Sequence, residues 1–301
     1  MAMRVATFAS HERMLKVAMT TQARMAELQL QQASGSISTD YSGLGASSKQ
    51  LLDLEASRKV SQSYSDAASE AVNRIEVMYS TLSSITDVLT DFRTQLTTAM
   101  STDGGETGLA SLATTAEGYF EELASLLNTT YEGRYLFSGE ATQTAPVDLT
   151  GYLADADTAS TSYYAGSIDV AAVKISRNQT ISYGVTADNT AFEQAFRALS
   201  IIADGPALDS ETLEQSYALV VSALDAAIGV QSGLSVKSAT LERAVERAAD
   251  QDSMYEAMLS QLRDADVTEI TVKLTSYETQ LEASYAAIAK LQGLSLVDYL
   301  S

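Results

Sequence analysis

Few residues in this chain could do acid–base, nucleophilic or metal chemistry, and they are scattered. His11 is the only histidine and there is no cysteine. A histidine-based triad would have to be built on one residue near the N-terminus, and no thiolate is available as a nucleophile. Asp155-Ala156-Asp157 and Asp264-Ala265-Asp266 lack the further ligands and the glycine of a calcium loop, so they suit a solvated turn and a helix cap. Gly43-Leu44-Gly45 is flanked by polar loop residues and not by a strand, which makes it a linker, not a phosphate cradle. No catalytic residue, cofactor or metal is expected.

What the residues do carry is apolar periodicity. Val267, Ile270, Leu274, Tyr277, Leu281, Ile288 and Leu291 follow an alternating spacing of three and four, with Ser284 in one weak slot. Side chains so spaced share one face of a helix, and a stripe of this width is buried against another helix. Leu294, Leu296 and Leu300 continue to the C-terminus. A modest seam through Phe8, Leu15, Ala18, Met25 and Leu28 marks a helix over residues 8–32. Isolated helices of this kind gain too little per turn to offset the ordering of their backbones, so both stripes need partners. Residues 1–39 carry four bases against two acids, and residues 267–301 two bases against four acids. This weak complementarity favours pairing of the two ends. Apolar surface on two terminal helices joined by turn-rich connectors is expected to mark an assembly interface.

The formal charge of -20 excludes nucleic acid and an anionic membrane surface as partners, since both are bound through basic patches. Residues 101–170 hold eleven acids against one base, Arg134. After Arg4 the apolar residues are interrupted by Ser10, His11, Glu12 and Arg13, so no signal peptide is expected. The most apolar run, residues 217–230, is broken by Asp225 and falls short of the ~20 residues of a bilayer-crossing helix. No membrane insertion is expected.

Between the ends, Tyr64, Ala68, Ala71, Ile75, Met78, Leu82, Ile85, Leu89, Phe92, Leu96 and Ala99 step by four and three without a break, the coiled-coil period. A helix from Gln50 to Met100 would make a rod of roughly 75 Å. Leu109, Leu112, Ala116, Tyr119, Leu123 and Leu126 predict a shorter helix packed on it. The period then changes. The aromatic run 131–139 suits a strand or a packing corner, and Ile168-Asp169-Val170, Val173-Lys174-Ile175 and residues 180–185 alternate as strands, the later two as a hairpin. Helix returns near Thr190, stops at Asp204-Gly205-Pro206, and runs again from Ser210 to Leu262, weakened by Gly229 and Gly233. The expected fold is mainly α: an elongated antiparallel helical bundle or coiled coil built from both chain ends, with a small β-rich insert in the middle. Residues 1–40 and 266–301 form the two halves of a terminal coiled coil, 41–138 and 190–265 the two parts of a rod, and 139–189 an outer insert.

These residues resemble the bacterial flagellin family. Gln280-Leu281-Glu282-Ala283-Ser284-Tyr285 and residues 292–300 look like its C-terminal helix, Leu28-Gln29-Leu30-Gln31-Gln32-Ala33-Ser34-Gly35 like its N-terminal helix, and Arg134-Tyr135-Leu136-Phe137-Ser138-Gly139 like the junction with its variable outer domain. The family's paired-aspartate loop after the first helix is replaced by Ser38-Thr39-Asp40-Tyr41-Ser42-Gly43. Arg4-Val5-Ala6-Thr7, Leu51-Leu52-Asp53-Leu54-Glu55 and Gly293-Leu294-Ser295-Leu296 lean to the branch that joins hook to filament. The filament subunit is the alternative, and an enzyme housed in the insert a remote one. The resemblance implies a structural subunit of the extracellular flagellum, exported without a cleaved signal through the flagellar secretion apparatus. Its implied partners are copies of itself, a neighbouring hook-associated protein, flagellin, and an export chaperone on the C-terminal region.

Overall fold

The structure, a computed structural model, describes residues 2–101, 106–205 and 208–300, with side chains for 10–101, 107–205 and 208–290. Helices dominate: α1 (Ala2–Ser34), α2 (Ser47–Ser101), α3 (Glu106–Leu127), α4 (Thr190–Ala203), α5 (Ser210–Arg263) and α6 (Val267–Leu300), with a 3₁₀ turn at Tyr41–Leu44. Two small antiparallel hairpins interrupt them, β1 (Thr130–Tyr131) with β2 (Arg134–Tyr135), and β3 (Ala172–Ser176) with β4 (Gln179–Ser182). The chain divides into two compact units, residues 60–250 and residues 1–59 with 251–301.

In the larger unit the heptad stripe of α2 is core: Ala68, Ala71, Ile75, Met78, Leu82, Ile85, Leu89, Phe92 and Leu96 are all buried. They share one cluster with residues of α3, α4 and α5. A stripe with this period buries because every second turn returns it to the same face. On α3 the buried positions are Leu112, Ala116, Phe120, Leu123, Ala124 and Leu127. Tyr119 and Leu126, expected in that stripe, lie at its margin, since the wide Phe120 ring takes the centre by packing at 5.5 Å on Phe196 of α4. Tyr119 instead meets Phe92 edge-on at 6.2 Å and accepts from Gln95 Nε2 at 3.2 Å.

Between α3 and α4 the chain is largely irregular and is pinned by polar contacts. Glu132 and Gly133 both take positive φ, 51° and 73°, the backbone a two-residue hairpin turn requires. Gly139, at φ 64°, lies so close to the carbonyls of Ser167 and Asp169 that a Cβ would run into both oxygens. Asn128 clamps Val147 through two 3.0 Å bonds, donating from Nδ2 to its carbonyl and accepting its N–H on Oδ1. The expected hairpin forms, pairing Val173 with Ile181. The expected strand at Ile168–Val170 does not: the segment is a bend, and Ile168 is 80 % exposed with no facing strand to alternate against.

By length and composition, α5 is apolar enough to cross a membrane, contrary to the expectation drawn from the charge-bounded run 217–230. Its composition has another outlet. Val220, Ala223, Leu224, Ala227, Leu234 and Leu241 are buried in the protein core, while Ser222, Asp225 and Ser232 are exposed. The buried face is apolar, but Ile228 and Val236, at 55 and 66 % exposure, leave apolar side chains on the outer face as well.

Candidate assembly interface

The smaller unit holds the paired ends of the chain. Asp266 caps α6 by accepting the N–H groups of Thr268 and Glu269 at 2.9 and 3.0 Å. Gly35 ends α1 with φ 67°. The two helix ends are stitched together by main chain: Ile37 N–H donates to Arg263 O at 2.7 Å, Ala265 N–H donates to Gly35 O at 2.9 Å, and Ser36 bridges Asp264. A short return of this sort sets α1 and α6 side by side. Gln32 donates to Thr271 Oγ1 at 3.1 Å near that stitch, and Arg13, Met14 and Val17 line a groove with Gln280, Ser284 and Ala287 farther along. Residue numbers rise on one helix as they fall on the other, so the pair is antiparallel.

On α6 the seam is the one the spacing specifies. Ile270, Leu274 and Ile288 are buried, and Tyr277, Leu281 and Ser284 half-buried between them. Val267, at its start, is 46 % exposed. On α1 the stripe differs from expectation. Ala18 and Thr21 are buried and Met14, Met25 and Leu28 half-buried, whereas Leu15 is 46 % exposed. Thr21 was hidden from a hydropathy reading by its hydroxyl, which donates to Val17 O at 3.0 Å and so needs no outside partner. Phe8, Leu291, Leu294, Leu296 and Leu300 have side chains outside the described residues.

The pairing leaves apolar surface behind. Leu15, Met19 and Leu30 on α1, and Val272 and Tyr285 on α6, remain between 46 and 67 % exposed. One helix facing one helix can cover one stripe, and α1 carries two, the second running through Leu15, Met19 and Ala23 beside an open groove. The charged residues on these helices are solvated; Lys273 lies 2.8 Å from Glu269 one turn before it, and that hydrogen bond raises its pKa. Elsewhere in this unit Arg58 reaches Asp252 through Nε at 2.7 Å and Nη2 at 3.0 Å, a bidentate fork.

The residues with possible chemistry are used locally. Asp40 accepts Gly43 N–H at 3.0 Å and a bond from Ser42, and those bonds hold its carboxyl below the ordinary range. Asp155 accepts Asp157 N–H at 2.9 Å in a turn. Asp264 is lowered by its bond from Ser260 and then by Arg263. His11 is half-buried along α1. The most enclosed charged pair went unremarked in the sequence because Glu193 and Arg197 read as ordinary helix surface. Glu193 is 3 % exposed; its carboxylate accepts Ser160 N–H at 3.1 Å and a hydrogen bond from Arg197 Nη2 at 3.3 Å, and lies 3.2 Å from Arg197 Nε, a contact without hydrogen-bond geometry at that nitrogen. Arg197 in turn donates to Ala156 O at 3.3 Å. The pair fastens the segment 153–160 to α4.

An antiparallel pair made from the two terminal helices, stitched at its base and still apolar outside, presents the kind of surface that marks an interface. Residues 5–142 match the family model of the bacterial flagellin N-terminal helical region, and residues 218–300 that of the bacterial flagellin C-terminal helical region. The chain belongs to the bacterial flagellin family. Within it, the chain is 26 % identical over 313 residues to flagellar hook-associated protein 3 of Escherichia coli K12, and 22 % identical over 321 residues to that of Salmonella typhimurium LT2. Each of those alignments spans 98 % of this chain and 98 % of the relative. The fold is also similar to a candidate flagellar hook-associated protein of Vibrio parahaemolyticus, at a TM-score of 0.61 and 16 % identity over 75 % of this chain and 99 % of that one.

Proposed function

We propose that this chain is a structural subunit of the bacterial flagellum that joins hook to filament by self-assembly of its paired terminal helices. The observation that carries the reading is the second apolar stripe on α1, through Leu15 and Met19, which stays exposed after α6 has covered the first. Full-length similarity to two proteins named flagellar hook-associated protein 3 supports the junction over the filament itself. Residues 1–40 and 266–301 supply the interface: Met25, Leu28, Ile270, Leu274, Tyr277, Leu281 and Ile288 close the seam that pairs the two helices, Leu15 and Val267 stay open to neighbouring copies, and Phe8, Leu291, Leu294, Leu296 and Leu300 belong to the same two ends. Residues 139–189 face outward. The partners are copies of the chain, a neighbouring hook-associated protein and flagellin, with an export chaperone on the C-terminal region before assembly. The subunit leaves the cell through the flagellar secretion apparatus without a cleaved signal, and performs no catalysis.

Deleting the gene tests this. Cells with hooks but no filaments, shedding flagellin into the medium, are the expected outcome. Loss of flagellin itself would identify the filament subunit, and unchanged filaments would refute both readings.

A further inference from the structure

The α1–α6 pair has two unlike flanks. At 3.6 residues per turn, about 100° each, Val17 and Leu15 stand roughly 200° apart on α1, so they emerge on opposite sides of the seam through Met14, Ala18 and Thr21. On the Val17 side the two helices enclose a groove of about 340 Å³, walled by Met14 and Val17 of α1 and by Ala283, Ser284 and Ala287 of α6. That is room for side chains and not only for water, whose share of the liquid is ~30 Å³. Val17 is 52 % exposed there. On the other side Leu15 and Met19, 46 and 64 % exposed, form a ridge with Tyr285 of α6, 51 % exposed. Met14 and Ser284 meet at the groove, so Leu15 and Tyr285, one residue on from each, stand nearly level with it on the opposite flank.

Charge divides between the same flanks. By the same rotation Glu278 and Glu282 fall on the ridge side of α6, and Arg13 and Arg24 on the groove side of α1, with Arg13 lining the groove itself. All four are exposed, and among the described residues none of them forms an ion pair. The remaining charges on the groove side of α6, Lys273 and Glu269, hold each other at 2.8 Å. Glu12, Lys16, Glu27 and Lys290 lie on the backs of the two helices, two acids against two bases. The pair is therefore acidic beside its ridge and basic beside its groove, a polarity that nothing within one chain uses.

We propose that the ridge of Leu15, Met19 and Tyr285 on one copy seats in the α1–α6 groove of the next, with Glu278 and Glu282 facing Arg13 and Arg24. The contact rests on the assembly proposed above and names the surface that receives its open stripe. The occupant is a second copy because the two flanks of one chain match each other, ridge to groove and acid to base, whereas two grooves face to face would bring base against base. Since the two surfaces differ, the contact is head-to-tail. With both at the same height it repeats by rotation about an axis along the helices, closing into a ring or climbing as a helix according to the angle. Ala283, Ser284 and Ala287 have a role here that the single chain does not give them: their short side chains admit the ridge.

Because the chain has no cysteine, two introduced cysteines report both the contact and its direction. Gln22 is exposed on the ridge flank and Gln280 on the groove flank. Gln22→Cys and Gln280→Cys in one full-length chain are thus held apart within a copy and brought together between copies; a disulfide forms only where Cα atoms come within about 7 Å. The double variant is expressed in the deletion strain and its isolated flagella are oxidised. The expected result is a ladder of dimers, trimers and higher multimers, with no crosslink from either single variant. Adding Arg13→Glu with Arg24→Glu should abolish the ladder, and further adding Glu278→Lys with Glu282→Lys should restore it. If the Gln22/Gln280 variant does not enter flagella, Val17→Cys with Ala286→Cys reads the same two flanks. Dimers from a single variant, products that stop at two chains, crosslinks only to another protein, or no crosslink in flagella that contain a double variant overturn this contact and leave the junction reading standing. Flagella in which even the unaltered chain is missing overturn both.

Discussion

Replacing Leu15 and Met19 together by Asp separates the surface that α1 gives to α6 from the surface it keeps for other copies. Leu15 is 46 % and Met19 64 % exposed in the single chain. The change therefore costs the monomer little beyond helix propensity, on the order of 1 kcal/mol for the two positions. Assembly is affected more. Burying a Leu or Met side chain completely contributes about 1.5–3 kcal/mol; roughly half of that remains to be gained at each site, so the pair forfeits about 2 kcal/mol per subunit. Two carboxylates trapped without partners in the closed interface cost several kcal/mol more. A loss of about 5 kcal/mol weakens association by between three and four powers of ten. The contrast is Ile270→Asp, at 5 % exposure in the seam with α1, which should open the terminal pair within the monomer. Thermal unfolding of the purified full chain, followed by circular dichroism, measures the first effect, and motility of the complemented deletion strain measures the second. Motile cells whose hooks carry the Leu15/Met19 variant would refute the reasoning. So would a drop in the unfolding midpoint as large as that of Ile270→Asp.

Two glycines make opposite tests of the described backbone. Gly229→Ala on α5 places its methyl in open space and should raise stability by up to about 1 kcal/mol, whereas Gly139→Ala, at φ 64° against two carbonyls, should lower it by 1 kcal/mol or more, about the least that such strain costs; denaturant midpoints that move the same way for both would contradict this. Burial pushes the Tyr152 phenol up to about 12, with Glu193 adding to it, and burial with Asp188 does the same for Tyr164. A raised phenol favours the neutral form in the folded state, so this stability is full below pH 10 and lost as pH rises from 10 towards 12. Melting temperature measured across that range should fall, and Tyr152→Phe, which removes a buried hydroxyl that has no hydrogen-bond partner among the described residues, should blunt the fall.

The parts of this molecule legible in its sequence are those where one helix carries a single apolar face. The α2 stripe from Ala68 to Leu96 and the α6 stripe through Ile270, Leu274 and Ile288 are buried as their spacing specifies, because a period of 3.5 fixes a face whatever covers it. On α1 the same rule misled, since the helix carries two interleaved stripes and hydropathy ranks Leu15 above Thr21. Choosing between them depends on which side α6 lies, and that is settled by the stitch at Gly35, Ile37, Arg263 and Ala265, a main-chain arrangement with no side-chain signature. The segment between α3 and α4 was legible only at its hairpin. Elsewhere its conformation comes from contacts distant in sequence, such as Asn128 with Val147 and Arg197 with Ala156, that no local period records. The same logic explains why Leu153 and Ile168 look like core residues in the sequence yet lie outside. An irregular segment has no period to commit an apolar side chain to one face, so the polar anchors of its neighbours decide where that side chain points. On 153–157 those anchors, Ala154 to Ser200 and Ala156 to Arg197, turn Leu153 outward together with Asp155 and Asp157.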